Sequence, residues 1–126
     1  MKRILIVEDL PTWRDNLLRS LKKIPDCTVE SAGSLEQATE LARLDRFDVA
    51  LVDWNLTDID GNHDGEKFIQ YLEQTAPGTR VIVVSGTIPA GATLGPNVSA
   101  FVSKADLNLR ELRQTVQTLL SAEAPE

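Results

Sequence analysis

Cysteine is almost absent from the sequence, which contains one, Cys27, among 126 residues. A single thiol excludes an intrachain disulfide and provides no pair of thiolate ligands for a metal, and it favours a protein of the reducing cytoplasm. Long apolar runs are missing as well, since none approaches the roughly 20 residues of a membrane-spanning helix. The opening MKRILIVED turns acidic after Val7 and lacks a small-residue cleavage site, so we interpret it as a first strand and not as a signal peptide.

Basic residues are outnumbered in this chain. Its 13 lysines and arginines stand against 19 aspartates and glutamates, which gives a net charge of −6 and a pI near 4.8. Proteins neutralise phosphate backbones with an excess of cations, so we expect no direct nucleic-acid partner, and the sequence suggests no membrane partner either. The chain is 42% hydrophobic and 25% charged, as is typical of one soluble domain that buries a core without disulfides or structural metals.

Five short runs rich in β-branched residues predict strands. Runs this short and apolar suit strands that are buried on both faces of a parallel sheet. We therefore predict strands within ILIV (4–7), TVESA (28–32), VALV (49–52), VIVV (81–84) and AFV (100–102).

Apolar residues at spacings of three and four predict four amphipathic helices between and after these runs. Ser34 and Gln37 form a capping box at the start of the second helix, and Pro77 with Gly78 ends the third. The interval 86–97 contains three glycines and two prolines, so we expect a shortened or irregular helix before the last strand. The predicted stripes are Leu10, Trp13, Leu17, Leu21 and Ile24; Leu35, Ala38 and Leu41; Phe68, Ile69 and Leu72; and Leu109, Leu112, Val116 and Leu119.

Strands that alternate with helices predict an α/β fold with a doubly wound parallel sheet. Sites in such sheets form beyond the carboxyl ends of the strands, where five polar residues of this chain fall. The three acids among them offer only oxygen ligands, which favours Mg²⁺. The first two acids alone could also mark the exit of a strand into solvent. The five residues are Glu8, Asp9, Asp53, Ser85 and Lys104.

Four segments of the chain resemble the receiver domain of two-component response regulators, in the family's order and over nearly the whole length. They are LIVEDLPTWR, DVALVDWNLTDIDG, VIVVSGT and AFVSKAD. The resemblance implies a flavodoxin-like sheet of five strands in the order 2-1-3-4-5. It also implies a receiver (response regulatory) domain over residues 1–122 with an acidic tail at 123–126, and we expect this receiver to stand alone.

The resemblance assigns a role to each acid. Asp53 would accept a phosphoryl group from a phosphohistidine and become an acyl phosphate. Glu8, Asp9, Asp53 and the backbone carbonyl of Asn55 would hold Mg²⁺, which offsets charge on the phosphoryl oxygens during transfer. The implied partners are a histidine kinase or a histidine phosphotransfer protein, and an unknown downstream protein. Such a domain is a switch and not an enzyme with turnover, although self-phosphorylation from donors and slow autodephosphorylation are expected.

Further positions match residues that the family uses around the phosphoryl group. Lys104 would pair with Asp53 and later with a phosphoryl oxygen, while Ser85 would turn its hydroxyl to that group. Phe101 matches the switch aromatic that swings inward with Ser85, although an ordinary core phenylalanine fits the sequence equally well. Asn55 and Thr87 resemble positions that tune hydrolysis, and both also suit solvated loops. A monomer or a weak phosphorylation-dependent dimer is expected.

Two departures from the family pattern affect loops. Ala105 follows Lys104 where the family has a cis proline, and a cis bond without proline costs ~3 to 4 kcal/mol, so we expect a trans bond and a different loop. The stretch 58–65 is an insert relative to the family pattern. It contains DGNHDG, which is similar to the first half of a calcium-binding loop, but Tyr71 occupies the position of the bidentate glutamate. We interpret this stretch as a solvated or partner-specific loop.

Three other functions fit parts of the pattern. A degenerate receiver would bind a partner without phosphotransfer, but the complete set of polar residues at the strand ends argues against it. A small aspartyl-phosphate phosphatase would need a general acid where Asn55 stands. A flavin-binding domain would bring its phosphate against Glu8 and Asp9, which repel an anion.

Overall fold

The computed structural model describes residues 2–54, 64–86 and 95–121. Within these ranges strands and helices alternate as the sequence predicts. The strands are β1 (Lys2–Val7), β2 (Cys27–Ala32), β3 (Val49–Val52), β4 (Arg80–Ser85) and β5 (Val98–Ser103). The helices are α1 (Pro11–Leu21), α2 (Leu35–Leu44), α3 (Asp64–Thr75) and α4 (Leu109–Ser121), and a 3₁₀ turn (Lys104–Asp106) joins β5 to α4.

The five strands form one parallel sheet in the order β2-β1-β3-β4-β5, which confirms the predicted flavodoxin-like fold and its strand order. Val7, the last residue of β1, lies opposite the last residue of β2, Ala32, and the last residue of β3, Val52. Three strands therefore end at the same level. The residues that directly follow them meet at this carboxyl edge of the sheet.

Helices cover both faces of the sheet, because the side chains of β1, β3 and β4 alternate between two cores. Leu5 and Val7 pack with α2 and α3 on what we call the α2/α3 face, and Ile4 and Ile6 pack with α1 and α4 on the α1/α4 face. The buried helix residues of the two cores include Ala38, Phe68, Ile69 and Leu72 on the first face and Leu17, Leu21, Leu112 and Val116 on the second.

Burial differs between the central and the edge strands. The central strands β1, β3 and β4 are buried over most of their length, whereas β2 and β5 are half-exposed. The prediction that all five strands are buried on both faces is therefore wrong for β2 and β5. Their position explains the difference, since an edge strand has a neighbour on one side only.

β5 contains an extra residue that changes the direction of its side chains. Val98 lies opposite Val81 but Ala100 lies opposite Ile82, so Ser99 forms a β-bulge without its own partner in β4. As a result Val98 packs on the α2/α3 face, while Ala100 packs on the α1/α4 face.

The helix ends follow the sequence signals with one correction. The Ser34 side chain accepts a hydrogen bond from the Gln37 backbone N–H at 3.1 Å, which confirms the predicted cap of α2. Pro11 is the first residue of α1, and Leu10 is its N-cap with 49% of its surface exposed. The prediction that Leu10 belongs to the buried stripe is therefore wrong, because the helix begins one residue later and that side chain lies outside the packed turns.

Several predictions concern residues outside the described ranges. Most of the glycine-rich and proline-rich interval 86–97 and most of the insert 58–65 belong to this group, as do residue 122 and the predicted acidic tail at 123–126. None of the helices that the structure describes is both long and apolar enough to cross a membrane.

Candidate functional site

Three acids meet at the carboxyl edge of the sheet. Glu8 and Asp9 directly follow β1, and Asp53 directly follows the neighbouring strand β3. The Asp53 backbone N–H donates a hydrogen bond to the Val7 carbonyl at 3.0 Å, so the pairing of the two strands extends to this position. One carboxylate oxygen from each acid lies within 4.8 Å of the others. The sheet thus forms the oxygen-only cluster that the sequence predicts.

Burial makes this cluster unfavourable without a compensating cation. Glu8 and Asp53 expose 1% and 6% of their surface, and Asp9 is partly exposed. The pKa of Glu8 is raised from 4.5 to about 7, mainly by burial and also by the charge of Asp53, while the hydrogen bond to Lys104 offsets part of the rise. Three carboxylates that are largely shielded from water are a suitable donor set for Mg²⁺, which prefers oxygen ligands.

Lys104 provides the positive charge that the structure places among these acids. Its Nζ atom lies 3.1 Å from Asp53 Oδ2 and forms an ion pair with Glu8 Oε1. Burial alone would lower the pKa of Lys104, but the hydrogen bond to Glu8 and the charges of both acids outweigh it and raise this pKa. One ammonium therefore bridges the ends of β1 and β3.

The chain after Lys104 differs from the family pattern as expected. No cis peptide bond occurs in the described ranges, so the bond to Ala105 is trans. The Ser103 hydroxyl accepts a hydrogen bond from the Ala105 backbone N–H at 3.3 Å at the start of the 3₁₀ turn. This turn directs the lysine side chain back over the sheet edge without a proline.

The first turn of α1 borders the site, which the sequence analysis missed. The Lys104 Nζ atom lies 5.0 Å from the centroid of the Trp13 ring, within the range of a cation–π contact. The helical spacing places Trp13 in the apolar stripe of the first helix, but the side chain is half-buried and its ring faces the Lys104 ammonium. A signal was present, because the helix begins two residues after Asp9 and its first turn must lie beside the acids.

Gly65 is a second residue whose importance the sequence did not show. A Cβ atom at this position would lie 2.0 Å from the Asp53 carbonyl oxygen and 2.6 Å from that of Trp54. The start of α3 is therefore packed directly against the backbone of the central acid. Trp54 itself is buried, with 2% of its surface exposed.

The remaining predicted residues are placed differently. Ser85 is fully buried at the end of β4, the strand between β3 and β5. Phe101 lies opposite Val83 and exposes 42% of its surface, so the interpretation as an ordinary core phenylalanine is wrong: its edge strand leaves the ring partly uncovered. Asn55 and Thr87 lie outside the described residues.

Comparison with known proteins explains this combination of fold and acids. The profile of the family described as response regulator receiver domain matches residues 4–117. The chain belongs to this family. Receiver domains are parts of two-component signalling systems and generally act as phosphoacceptor switches with an acidic Mg²⁺ pocket.

One relative of this receiver domain is a much longer protein. The protein-glutamate methylesterase/protein-glutamine glutaminase of Nitrosospira multiformis is 35% identical over 91 residues, which are 71% of this chain and 24% of that protein. The receiver domain thus spans about a quarter of the length of this relative.

Solved structures confirm the fold of the receiver domain. The non-phosphorylated HemR receiver domain of Leptospira biflexa is similar with a TM-score of 0.81 and 24% identity, covering 100% of this chain and 99% of that one. The response regulator TrrA of Thermotoga maritima, in complex with Mg(2+)-BeF, has a TM-score of 0.78 and 22% identity, covering 94% and 99% of the two chains. A receiver domain protein of Methanospirillum hungatei has a TM-score of 0.75 and 25% identity, covering 95% and 94%.

Proposed function

We propose that this receiver domain is a phosphoacceptor switch in which Asp53 takes a phosphoryl group from a phosphohistidine in a Mg²⁺-dependent reaction. The observation that carries the proposal is the position of Asp53, whose carboxylate lies within 4.8 Å of those of Glu8 and Asp9 and 3.1 Å from the Lys104 ammonium. This arrangement supports the proposal, because three carboxylates and one ammonium lie together where the acceptor, the cation ligands and a phosphate-binding group would be needed.

The transfer step uses Asp53 as the nucleophile. One of its carboxylate oxygens attacks the phosphorus, the new P–O bond forms as the P–N bond to the histidine breaks, and the imidazole nitrogen keeps the electron pair of that bond. The Lys104 ammonium then donates a hydrogen bond to a phosphoryl oxygen instead of to the free carboxylate. The product is an acyl phosphate at the buried end of β3.

Charge balance explains why a divalent cation belongs to this proposal. Three carboxylates and one ammonium leave the site with a formal charge of −2 when all are ionised, and a phosphoryl group adds further negative charge. Glu8, Asp9, Asp53 and the backbone carbonyl of Asn55 are the ligands that we propose for Mg²⁺. When bound, this ion neutralises the carboxylates and the phosphoryl oxygens during in-line transfer.

The proposed output is a shift between two arrangements of the same domain. Ser85 is buried beside the site and would turn to the phosphoryl group, while the half-exposed Phe101 on the neighbouring strand would move inward. Asn55 and Thr87 would tune hydrolysis. The partners proposed are a histidine kinase or histidine phosphotransfer protein in the cytoplasm and a downstream protein that recognises the changed surface.

Mass spectrometry of the purified domain tests this proposal. With Mg²⁺ and acetyl phosphate, the wild-type protein is expected to gain one phosphoryl group, and the fluorescence of Trp54 beside the acceptor is expected to change. Asp53→Asn should abolish both responses, whereas Asp15→Asn, a change at an exposed acid of α1, should retain them. Folded wild-type protein that binds Mg²⁺ but gains no phosphoryl group would instead indicate a degenerate receiver.

A further inference from the structure

Among the residues that the structure describes, the ammonium of Lys104 has three contacts of two different kinds. Two are carboxylates, Glu8 and Asp53, and the third is the Trp13 ring, whose centroid lies 5.0 Å from Nζ. The lysine side chain is 12% exposed, so all three contacts act where water screens them little. The acids hold the ammonium from the ends of the sheet strands, and the indole ring holds it from α1.

These contacts differ in what a divalent cation does to them. Glu8 and Asp53 are two of the three acids among the proposed cation ligands, so a bound metal competes with Lys104 for the same carboxylates. An aromatic ring is no ligand for Mg²⁺, which requires oxygen donors. A bound metal therefore competes for the two carboxylates but not for the Trp13 ring.

We propose that Trp13 is a positioning residue, which keeps the Lys104 ammonium within reach of the phosphoryl group after a divalent cation has taken its carboxylate partners. The proposal rests on the proposed function of Asp53 as phosphoacceptor and adds a residue to which the sequence analysis gave no role at the site. Trp13 touches neither the phosphoryl group nor the metal in this account. It acts through Lys104.

The backbone around Trp13 supports a fixed position of the ring. The Leu10 backbone N–H donates a hydrogen bond to Glu8 Oε2 at 3.3 Å, and the Arg14 guanidinium donates one to the Glu8 carbonyl at 3.2 Å. The first turn of α1 is thereby tied to the end of β1 on both sides of Trp13. A ring held in this way limits the positions of the lysine, which lowers the entropy lost when Lys104 binds a phosphoryl oxygen.

A first experiment measures the contact without any phosphodonor. In the NMR spectrum of the wild-type domain, the ε-methylene protons of Lys104 are expected to be shifted upfield by the Trp13 ring, both without metal and with saturating Mg²⁺. Trp13→Phe should keep part of this shift and Trp13→Leu should remove it. Loss of the shift on addition of Mg²⁺ to wild-type protein would overturn the proposal, and this readout does not depend on the folding of any variant.

A second experiment measures the consequence for phosphotransfer. Trp13→Leu is expected to slow phosphorylation by acetyl phosphate about fivefold, while Trp13→Phe, which keeps an aromatic face, stays within about twofold of wild type. The Mg²⁺ dissociation constant should change by less than about twofold in both, because Trp13 is no ligand.

The outcomes separate this inference from the proposed function. Equal rates for Trp13→Leu and Trp13→Phe, in a wild-type domain that is phosphorylated, would overturn the role of Trp13 and leave that of Asp53 intact. A parallel weakening of Mg²⁺ binding would also overturn it, since the residue would then act on the acids. Wild-type protein that accepts no phosphoryl group would refute the function of Asp53, and the role of Trp13 with it.

Discussion

The Lys104 Nζ atom lies 3.1 Å from Asp53 Oδ2, although the two are 51 positions apart in the chain and β4 lies between their strands in the sheet. The same ammonium is paired with Glu8, so two buried acids share one cation. This relationship makes the metal-free domain sensitive to the loss of a single side chain.

Replacement of Lys104 is expected to separate stability from metal affinity. Lys104→Met should lower the free energy of unfolding of the metal-free domain by about 3 kcal/mol, because two buried carboxylates lose their partner. The same change should tighten Mg²⁺ binding, since a competing cation has been removed. Urea denaturation and calorimetric titration measure the two effects.

The matched control for this change is Lys67→Met. Lys67 is 60% exposed and its Nζ atom lies 3.8 Å from Asp64 Oδ1 at the start of α3. Lys67 is exposed and its distance to the aspartate is long, so such a pair contributes little and the free energy of unfolding should change by less than about 1 kcal/mol. Equal effects of the two replacements would contradict the shared-cation interpretation.

The close approach of α3 to the central acid predicts a strong effect of one methyl group. In Gly65→Ala the Cβ atom would lie 2.0 Å from the Asp53 carbonyl oxygen, so the backbone must shift. We expect a loss of about 2 kcal/mol of stability and weaker Mg²⁺ binding, because the shift displaces Asp53. Thermal unfolding and metal titration measure both effects.

Gly86→Ala is the matched control, because a Cβ atom there meets nothing within 4 Å in the described part of the chain, although the residue directly follows Ser85. Its effect on stability should stay below about 1 kcal/mol. If Gly65→Ala were as mild as this change, the packing of α3 would not fix the position of Asp53.

The cap of α2 predicts a local loss of stability away from the acids. Ser34→Ala removes the side-chain acceptor of the Gln37 N–H and should cost about 1 kcal/mol in urea denaturation. Mg²⁺ binding should remain unchanged, which distinguishes this variant from those at the site. Ser99→Ala, at an exposed position without a described cap, serves as the control and should change stability by less than about 0.5 kcal/mol.

The single cysteine predicts a pH dependence. Burial raises the pKa of Cys27 above its ordinary value of 9.0, and the nearby acids Asp26 and Asp48 raise it further. The thiolate fraction at a given pH is therefore smaller in the folded domain than in the unfolded chain, so alkylation by iodoacetamide should be slower in the folded domain across pH 8 to 10. Because the folded state holds this proton more tightly, stability should fall as the pH rises from the unfolded pKa of 9.0 towards the higher pKa of the folded state.

Urea-unfolded protein is the reference for the alkylation rates. A folded-state rate profile that coincides with that of the unfolded chain would show that the thiol is neither buried nor influenced by the two acids.

Local patterns predicted much of the fold, because the short β-branched runs and the three-and-four spacings reflect burial that secondary structure imposes on any sequence. The strand order came from the family resemblance, since a run such as VALV does not specify its neighbours. The local pattern also does not show which strands lie at the edge of the sheet, so burial was overestimated for β2. Its residues TVESA are half-exposed because β2 is an edge strand.

The site was predictable where residues directly follow strands. Glu8, Asp9, Asp53 and Lys104 could be placed together because parallel strands end at one edge. Trp13 and Gly65 could not, since helical spacing is the same for a core residue as for one that faces a lysine, and a glycine pattern does not reveal which backbone it approaches. The roles of Ser85, Phe101, Asn55 and Thr87 remain predictions.

Ser99 has no partner in β4, so the position of Lys104 does not depend on whether β5 contains this residue. Removing Ser99 would leave the pairs from Ile82–Ala100 to Ser85–Ser103 unchanged. Lys104 would therefore follow β5 at the same position relative to the end of β4. Shortening the strand by one residue after Ala100 would instead draw Lys104 back by about 3.3 Å, a full step along the strand. A deletion of Ser99 and a deletion after Ala100 therefore differ in their effect on the position of Lys104 at the site.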